Sequence, residues 1–206
     1  MEEQTIIRNS ELPENHIIFV AGEINMDIAV GVCQQLLEVD IAAKQEGIKI
    51  PITLIINSVG GDLMAAWQIC DIMDFIDCPV YTTGVGQVAS AALIILMNGE
   101  IGHRVVSDRT SIMSHRYSWG TTGKHNDLIS IQDEFRNTHN RMIKHYIECT
   151  GLNQKQIEEK LLCEHDVWLT SQQAKALKIV DKVITSKKTK MVRGTKNARK
   201  ARTNKK

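Results

Sequence analysis

The chain has 206 residues, 43% of them hydrophobic and 24% charged, enough for one ordinary domain with short appendages and too few for two large ones. A chain of this size buries roughly 70% of its unfolded surface, so its core needs neither disulfides nor metals. Five cysteines (Cys33, Cys70, Cys78, Cys149 and Cys163) without a CxxC pair or a secretory leader point to a reducing, cytoplasmic setting. The most apolar stretch, Ala89 to Met97, falls far short of the roughly 20 residues that span a bilayer, so a soluble protein is expected. The net charge of +1 conceals an asymmetry: of 25 Lys and Arg, ten lie in residues 187–206, which hold no acid, leaving 15 − 24 = −9 for residues 1–186.

In chain order, a polar arm (residues 1–16, with Pro13) leads into a strand at Ile17 to Val20 that ends at Gly22. Asn25 or Asp27 caps a helix whose apolar face, Ile28, Val32, Leu36, Val39 and Ala43, recurs every three or four residues until Gly47. A buried strand at Ile52 to Ile56 breaks at the turn Asn57-Ser58-Val59-Gly60-Gly61-Asp62, and a helix follows from Leu63 to Ile76. Val80 to Thr83 is a third strand, followed by Gly84-Val85-Gly86-Gln87 and the apolar helix Ala89 to Met97, with Ser90 its one polar side chain. Short strands are expected near Arg104 to Val106 and Ser111 to Ser114, then a glycine loop from Tyr117 to His125 and a long helix from Asn126 to Glu148. A helix near Asn153 to Leu162, the segment Val167 to Thr170, a helix from Ser171 to Leu177 and a strand near Val180 to Ile184 complete the body. Strands alternating with helices of this length predict an α/β domain with a parallel sheet.

Ser90 is the most informative residue. One hydroxyl at the start of an apolar helix, after a glycine-rich strand exit, is the layout of a serine nucleophile beside unpaired N–H groups. A plain N-cap is the commoner reason for a serine there. The turn at Ser58 to Gly61 lets backbone approach a substrate, or is an ordinary strand-to-helix turn capped by Asp62. Of seven histidines, His139 and His145 fall at polar positions of the long helix, and His16, His103 and His125 lie in loops or strand edges, so surface roles are expected for these five. His115 ends the apolar run Ile112-Met113 at a strand edge, where α/β folds gather functional groups. A carboxylate must orient such a base, and Asp166 and Glu164 are the candidates.

Taken in order, Asn57-Ser58-Val59-Gly60-Gly61, Gly86-Gln87-Val88-Ala89-Ser90, Met113-Ser114-His115 and Asp166-Val167-Trp168-Leu169-Thr170, with Ala174 to Asp181 closing the body, resemble the ClpP family, the proteolytic subunits of Clp proteases. The resemblance covers about residues 17–184. It implies the ClpP/crotonase-like fold, a stack of β-β-α turns over residues 17–185, with a protruding handle made of loop and long helix at about residues 117–149. It also implies serine endopeptidase chemistry inside two stacked seven-membered rings, a homo-oligomer fed by a hexameric AAA+ unfoldase. Residue by residue, Ser90 matches the nucleophile, His115 the general base and Asp166 the orienting acid. Gly61 and Ala91 match the backbone oxyanion donors, and Gly60, Trp119 and Gly120 fall in the segments that pair with substrate backbone.

This sequence departs from the family in places. Ala91-Ala92-Leu93 replaces the usual Met-Gly-Ala, Val59 replaces a proline, Arg116-Tyr117 replaces Gln-Pro, and Ile55 stands where an aromatic residue lines the unfoldase cleft. The spacing from Ile157 to Asp166 is about two residues longer than usual, which leaves Glu164 at the usual distance. No metal or organic cofactor is called for, and the chain has no GxxxxGK[ST] motif with which to use ATP itself. The alternatives are a ClpP-like maturation peptidase acting without an ATPase, an idle structural subunit of a mixed ring, and a crotonase-like acyl-CoA enzyme. The basic segment 186–206 reads as a disordered solvating tail, with contact to a polyanion as its functional alternative.

Overall fold

The structure, a computed structural model, describes residues 16–118, 120 and 122–185. The arm before His16 and the basic segment 186–206 lie outside the described residues.

Strand β1 (His16–Ile24) leads to helix α1 (Met26–Gln45), where Asn25 Oδ1 accepts the Ile28 N–H at 2.9 Å and so supplies the expected cap. Strand β2 (Ile52–Gly61) and helix α2 (Leu63–Phe75) follow, with Asp62 accepting the N–H groups of Met64 and Ala65. Strand β3 (Val80–Ala89) enters helix α3 (Ala91–Met97), and strands β4 (Arg104–Ser107) and β5 (Ser111–Ser114) come next. The long helix α4 (His125–Thr150) ends at Gly151, whose φ of 68° is left-handed. Helix α5 (Gln154–Lys160), strand β6 (Val167–Leu169), helix α6 (Ser171–Ala176) and strand β7 (Lys182–Ile184) close the chain.

Three expected breaks are not breaks. β1 runs through Gly22, β2 through Ser58-Val59-Gly60-Gly61, and β3 through Gly84-Val85-Gly86. The glycines mark bulges: between Ile56↔Gly84 and Ser58↔Val88, two steps along β2 match four along β3. At that bulge Gly86 has φ 65°, and the Asn57 side-chain oxygen accepts the Gln87 N–H at 3.1 Å.

The sheet has seven strands in the order β1-β2-β3-β4-β7, parallel throughout that path. The bend in β3 lets one strand serve two neighbours. Its first half pairs with β4 at Thr82 to Gly84, and its second half pairs with β5 at Gln87 to Ala89. β6 adds antiparallel to β5. All seven residues of α3 are buried, so its short run of Ala, Leu, Ile and Met is the centre of the core. Each Leu, Ile or Met of that run contributes roughly 1.5–3 kcal/mol by leaving water.

Arg104 holds the far end together. Its guanidinium takes both carboxylate oxygens of Asp181, at 2.7 and 2.9 Å, and donates to the Cys149 carbonyl at 2.6 Å. Burial by itself raises the Asp181 carboxyl, but the Arg104 hydrogen bonds outweigh it and hold that group below the usual carboxylate range. In α4 the side chains buried in the body are Thr138, Met142, Ile143, His145, Tyr146 and Thr150, whereas Leu128, Ile129 and Phe135 in its first half are exposed. Among the described residues no helix is long and apolar enough to cross a membrane.

Candidate active site

Three strand ends meet where the bent half of β3 leaves the sheet. Ala89 is the last residue of β3 and pairs with Met113 of β5, and the Ser90 N–H donates to the Met113 carbonyl at 3.0 Å. Ser90 therefore leaves β3 next to the point where His115 leaves β5. Ser90 Oγ and His115 Nε2 are 2.7 Å apart.

The Ser90 backbone explains why that hydroxyl is free. With φ 55° and ψ −125° it occupies a region that costs an L-residue of order 1–3 kcal/mol. The residue stands at the N-cap position of α3, yet its side chain makes no cap hydrogen bond. The plain N-cap reading is thereby corrected: the turn that would let Oγ reach the helix N–H groups is replaced by one that aims it at the imidazole.

Register brings Asp166 beside His115. The antiparallel pairs are Ile112↔Leu169, Met113↔Trp168 and Ser114↔Val167, so His115 and Asp166 are the residues that flank the last pair. Asp166 Oδ1 lies 3.3 Å from His115 Nδ1, with the carboxylate side chain 56% exposed. Glu164 is exposed. The segment of longer spacing after Ile157 runs from α5 to the start of β6, which Asp166 directly precedes.

The histidine is clamped through its chain neighbours. Ser114 Oγ and the Tyr146 hydroxyl are 2.9 Å apart, Arg116 Nε donates to the Leu162 carbonyl at 2.7 Å, and the Tyr117 hydroxyl donates to the Phe135 carbonyl at 2.8 Å. Burial pushes the Tyr146 hydroxyl up to about 12, so it stays protonated in the core.

A cleft of about 460 Å³ opens over Ser90 and His115, walled by Gly61 to Met64, Ala91, Ile94, Tyr117, Ser118 and Met142. Gly61 and Ala91 thus share one cavity with Ser90, and Ala91, as the first residue of α3, has an N–H without an intrahelical acceptor. Gly60 packs against the serine: a Cβ there would stand 2.7 Å from Ser90 Cβ and 2.7 Å from the Ala89 carbonyl oxygen, and its N–H donates to Ser58 Oγ at 3.0 Å. Gly120 is exposed with open space around it, and Trp119 lies outside the described residues.

The surface role expected for His145 is wrong. The residue is 7% exposed, its Nε2 sits 3.1 Å from the Ile94 carbonyl, and the Trp67 ring meets it edge-on at 5.0 Å. Burial lowers its affinity for a proton. His103 stacks on Tyr81 at 3.9 Å. Sequence reasoning missed the cleft walls Asp62, Met64, Tyr117 and Met142. Asp62 and Met142 carried only signals of a helix cap and a helix face, and nothing in the sequence brings those two elements together.

The mostly parallel sheet with its helices defines a class, the ClpP/crotonase-like fold, here with a serine and a histidine in contact at a cleft. Comparison with known families narrows it, since the family model for Clp protease matches residues 1–187. The chain belongs to the Clp protease family, a family of peptidases.

Proposed function

We propose that this chain is a serine endopeptidase in which Ser90, His115 and Asp166 act as nucleophile, general base and orienting acid. The carrying observation is the 2.7 Å contact between Ser90 Oγ and His115 Nε2, made by a serine whose side chain does not cap its helix. With the imidazole proton on Nδ1, facing Asp166, the Ser90 hydroxyl donates to Nε2. As Oγ bonds to the peptide carbonyl carbon, its proton passes to Nε2, and Asp166 stabilises the cation. The oxyanion is received by the Gly61 and Ala91 N–H groups, each worth roughly 10²–10³ in rate. The C–N bond then breaks as Nε2 returns the proton to the leaving amine. Water, deprotonated by the same nitrogen, hydrolyses the acyl-serine.

In this reading the peptidase body spans residues 17–185, with the long helix α4 and its preceding loop as a handle at about residues 117–149. The exposed Leu128, Ile129 and Phe135 support it, because an apolar face of this kind buries itself between subunits. The working form is a cytoplasmic double seven-membered ring that degrades unfolded polypeptides delivered by a hexameric AAA+ unfoldase.

Intact-protein mass after exposure to a fluorophosphonate tests the chemistry. One adduct in wild type, absent from Ser90→Ala and His115→Ala, is expected. No adduct on an assembled preparation rejects the mechanism.

A further inference from the structure

The cleft over Ser90 is apolar along its wall and acidic at one point. Leu63, Met64, Ile94 and Met142 supply the wall, with Ile94 and Met142 buried and Met64 39% exposed. Apart from His115, the charged side chain lining this cavity is Asp62. One of its oxygens, Oδ1, accepts both N–H groups at the start of α2, from Met64 at 2.7 Å and Ala65 at 3.0 Å, and the residue is exposed. Capping alone does not require a charge, since Asn or Ser caps as well. What the carboxylate adds over those residues is a negative charge on a residue that lines the cleft.

Asp62 directly follows Gly61, the proposed oxyanion donor, and both residues line the cleft over Ser90. An apolar wall with a carboxylate at its mouth fits a side chain with a methylene stem and a cationic head, as lysine and arginine have. The net charge of −9 over residues 1–186 acts in the same sense.

We propose that Asp62 is a specificity-determining residue that selects peptides with lysine or arginine at the position donating the scissile carbonyl, over acidic residues and over uncharged residues of similar length. This rests on Ser90 being the nucleophile. It deepens that reading by naming a substrate class.

The test uses the full chain and a set of peptidyl phosphonates that differ only in the acyl-position side chain: lysine, arginine, norleucine or glutamate. The rate of Ser90 labelling is read by mass, in wild type and in Asp62→Asn, which keeps the cap and the volume. In wild type, lysine and arginine probes are expected to label faster than norleucine, and glutamate slowest. For an ion pair at a solvated rim, Asp62→Asn should lower the lysine-to-norleucine rate ratio by roughly two- to fivefold. If Asp62→Asn does not fold, the wild-type ratio should still fall by a similar factor between roughly 0.05 M and roughly 0.5 M salt, through screening. A ratio unchanged by Asp62→Asn in a folded variant, a ratio unchanged by salt where that variant does not fold, or glutamate labelling as fast as lysine, overturns the inference while leaving Ser90 reactive. Failure of a simple fluorophosphonate to label Ser90 overturns the peptidase reading itself.

Discussion

Gly60 and Ser90 compete for one volume: a side chain on Gly60 would place its Cβ 2.7 Å from the Cβ of Ser90. The same Cβ would meet the Ala89 carbonyl oxygen at 2.7 Å and the Ala91 nitrogen at 3.0 Å, and the Gly60 φ of 95° disfavours any L-residue. The glycine is what allows β2 to lie against the turn that holds the serine. Neither obstacle in the backbone of residues 89–91 can rotate away as a side-chain tip can.

Gly60→Ala should therefore move Ser90 and strain β2 together. The expected result is a loss of peptidase rate of at least tenfold, with about 1–3 kcal/mol of stability lost to the backbone conformation and the clash. Fluorophosphonate labelling and a urea melt measure the two effects separately. Wild-type labelling by the variant would show that the turn tolerates the extra methyl.

The register between β5 and β6 separates the two carboxylates. Loss of the orienting charge in a buried triad costs about 10⁴ in kcat; for a carboxylate 56% exposed and 3.3 Å from the imidazole, a loss on the order of 10² is expected of Asp166→Asn. Glu164→Gln should stay within about twofold of wild type. Steady-state hydrolysis of a short fluorogenic peptide distinguishes them, and the opposite ranking would reassign the acid.

Arg104 and Asp181 make acid lability predictable. Because the folded Asp181 holds its proton less tightly than the ordinary carboxylate value of 3.8, its contribution is complete above that value and disappears as pH falls toward the lower folded one. Asp181→Asn should flatten this acid limb. At neutral pH it should cost about 3–5 kcal/mol, since Arg104, with a side chain 3% exposed, is left charged and unpaired. Chemical denaturation from pH 7 to pH 3 reads both effects.

His145 predicts a second pH dependence with a different midpoint. Its folded form binds a proton less readily than the ordinary histidine value of 6.5 because it is buried, so stability is full above that value and declines as pH drops below it toward the lower folded one. His145→Gln should remove this decline while lowering stability at pH 7.5 by about 1–3 kcal/mol through poorer packing against Trp67. Thermal melts at pH 7.5 and 5.5 suffice, and a wild-type curve flat across that interval would contradict the assignment.

Much of this protein was determined by its sequence alone. The spacing from Ile28 to Ala43 and the cap at Asn25 specify α1 because helix periodicity and capping are local properties. The ordered motifs around Gly61, Ser90, His115 and Asp166 sufficed to indicate the Clp protease family. Local rules failed where the outcome depends on a neighbour. Ser58 to Gly61 and Gly84 to Gly86 look like turns in isolation, yet they continue strands because β1, β2 and β3 pair across them and the glycines become bulges. Asp166 and Glu164 are equivalent by composition, and only the pairing of Ser114 with Val167 brings Asp166 beside His115. His145 sits at a polar position of its own helix, but α3 and Trp67 arrive from elsewhere in the chain to bury it. Register and burial are relations between distant segments, so tertiary structure alone could decide them.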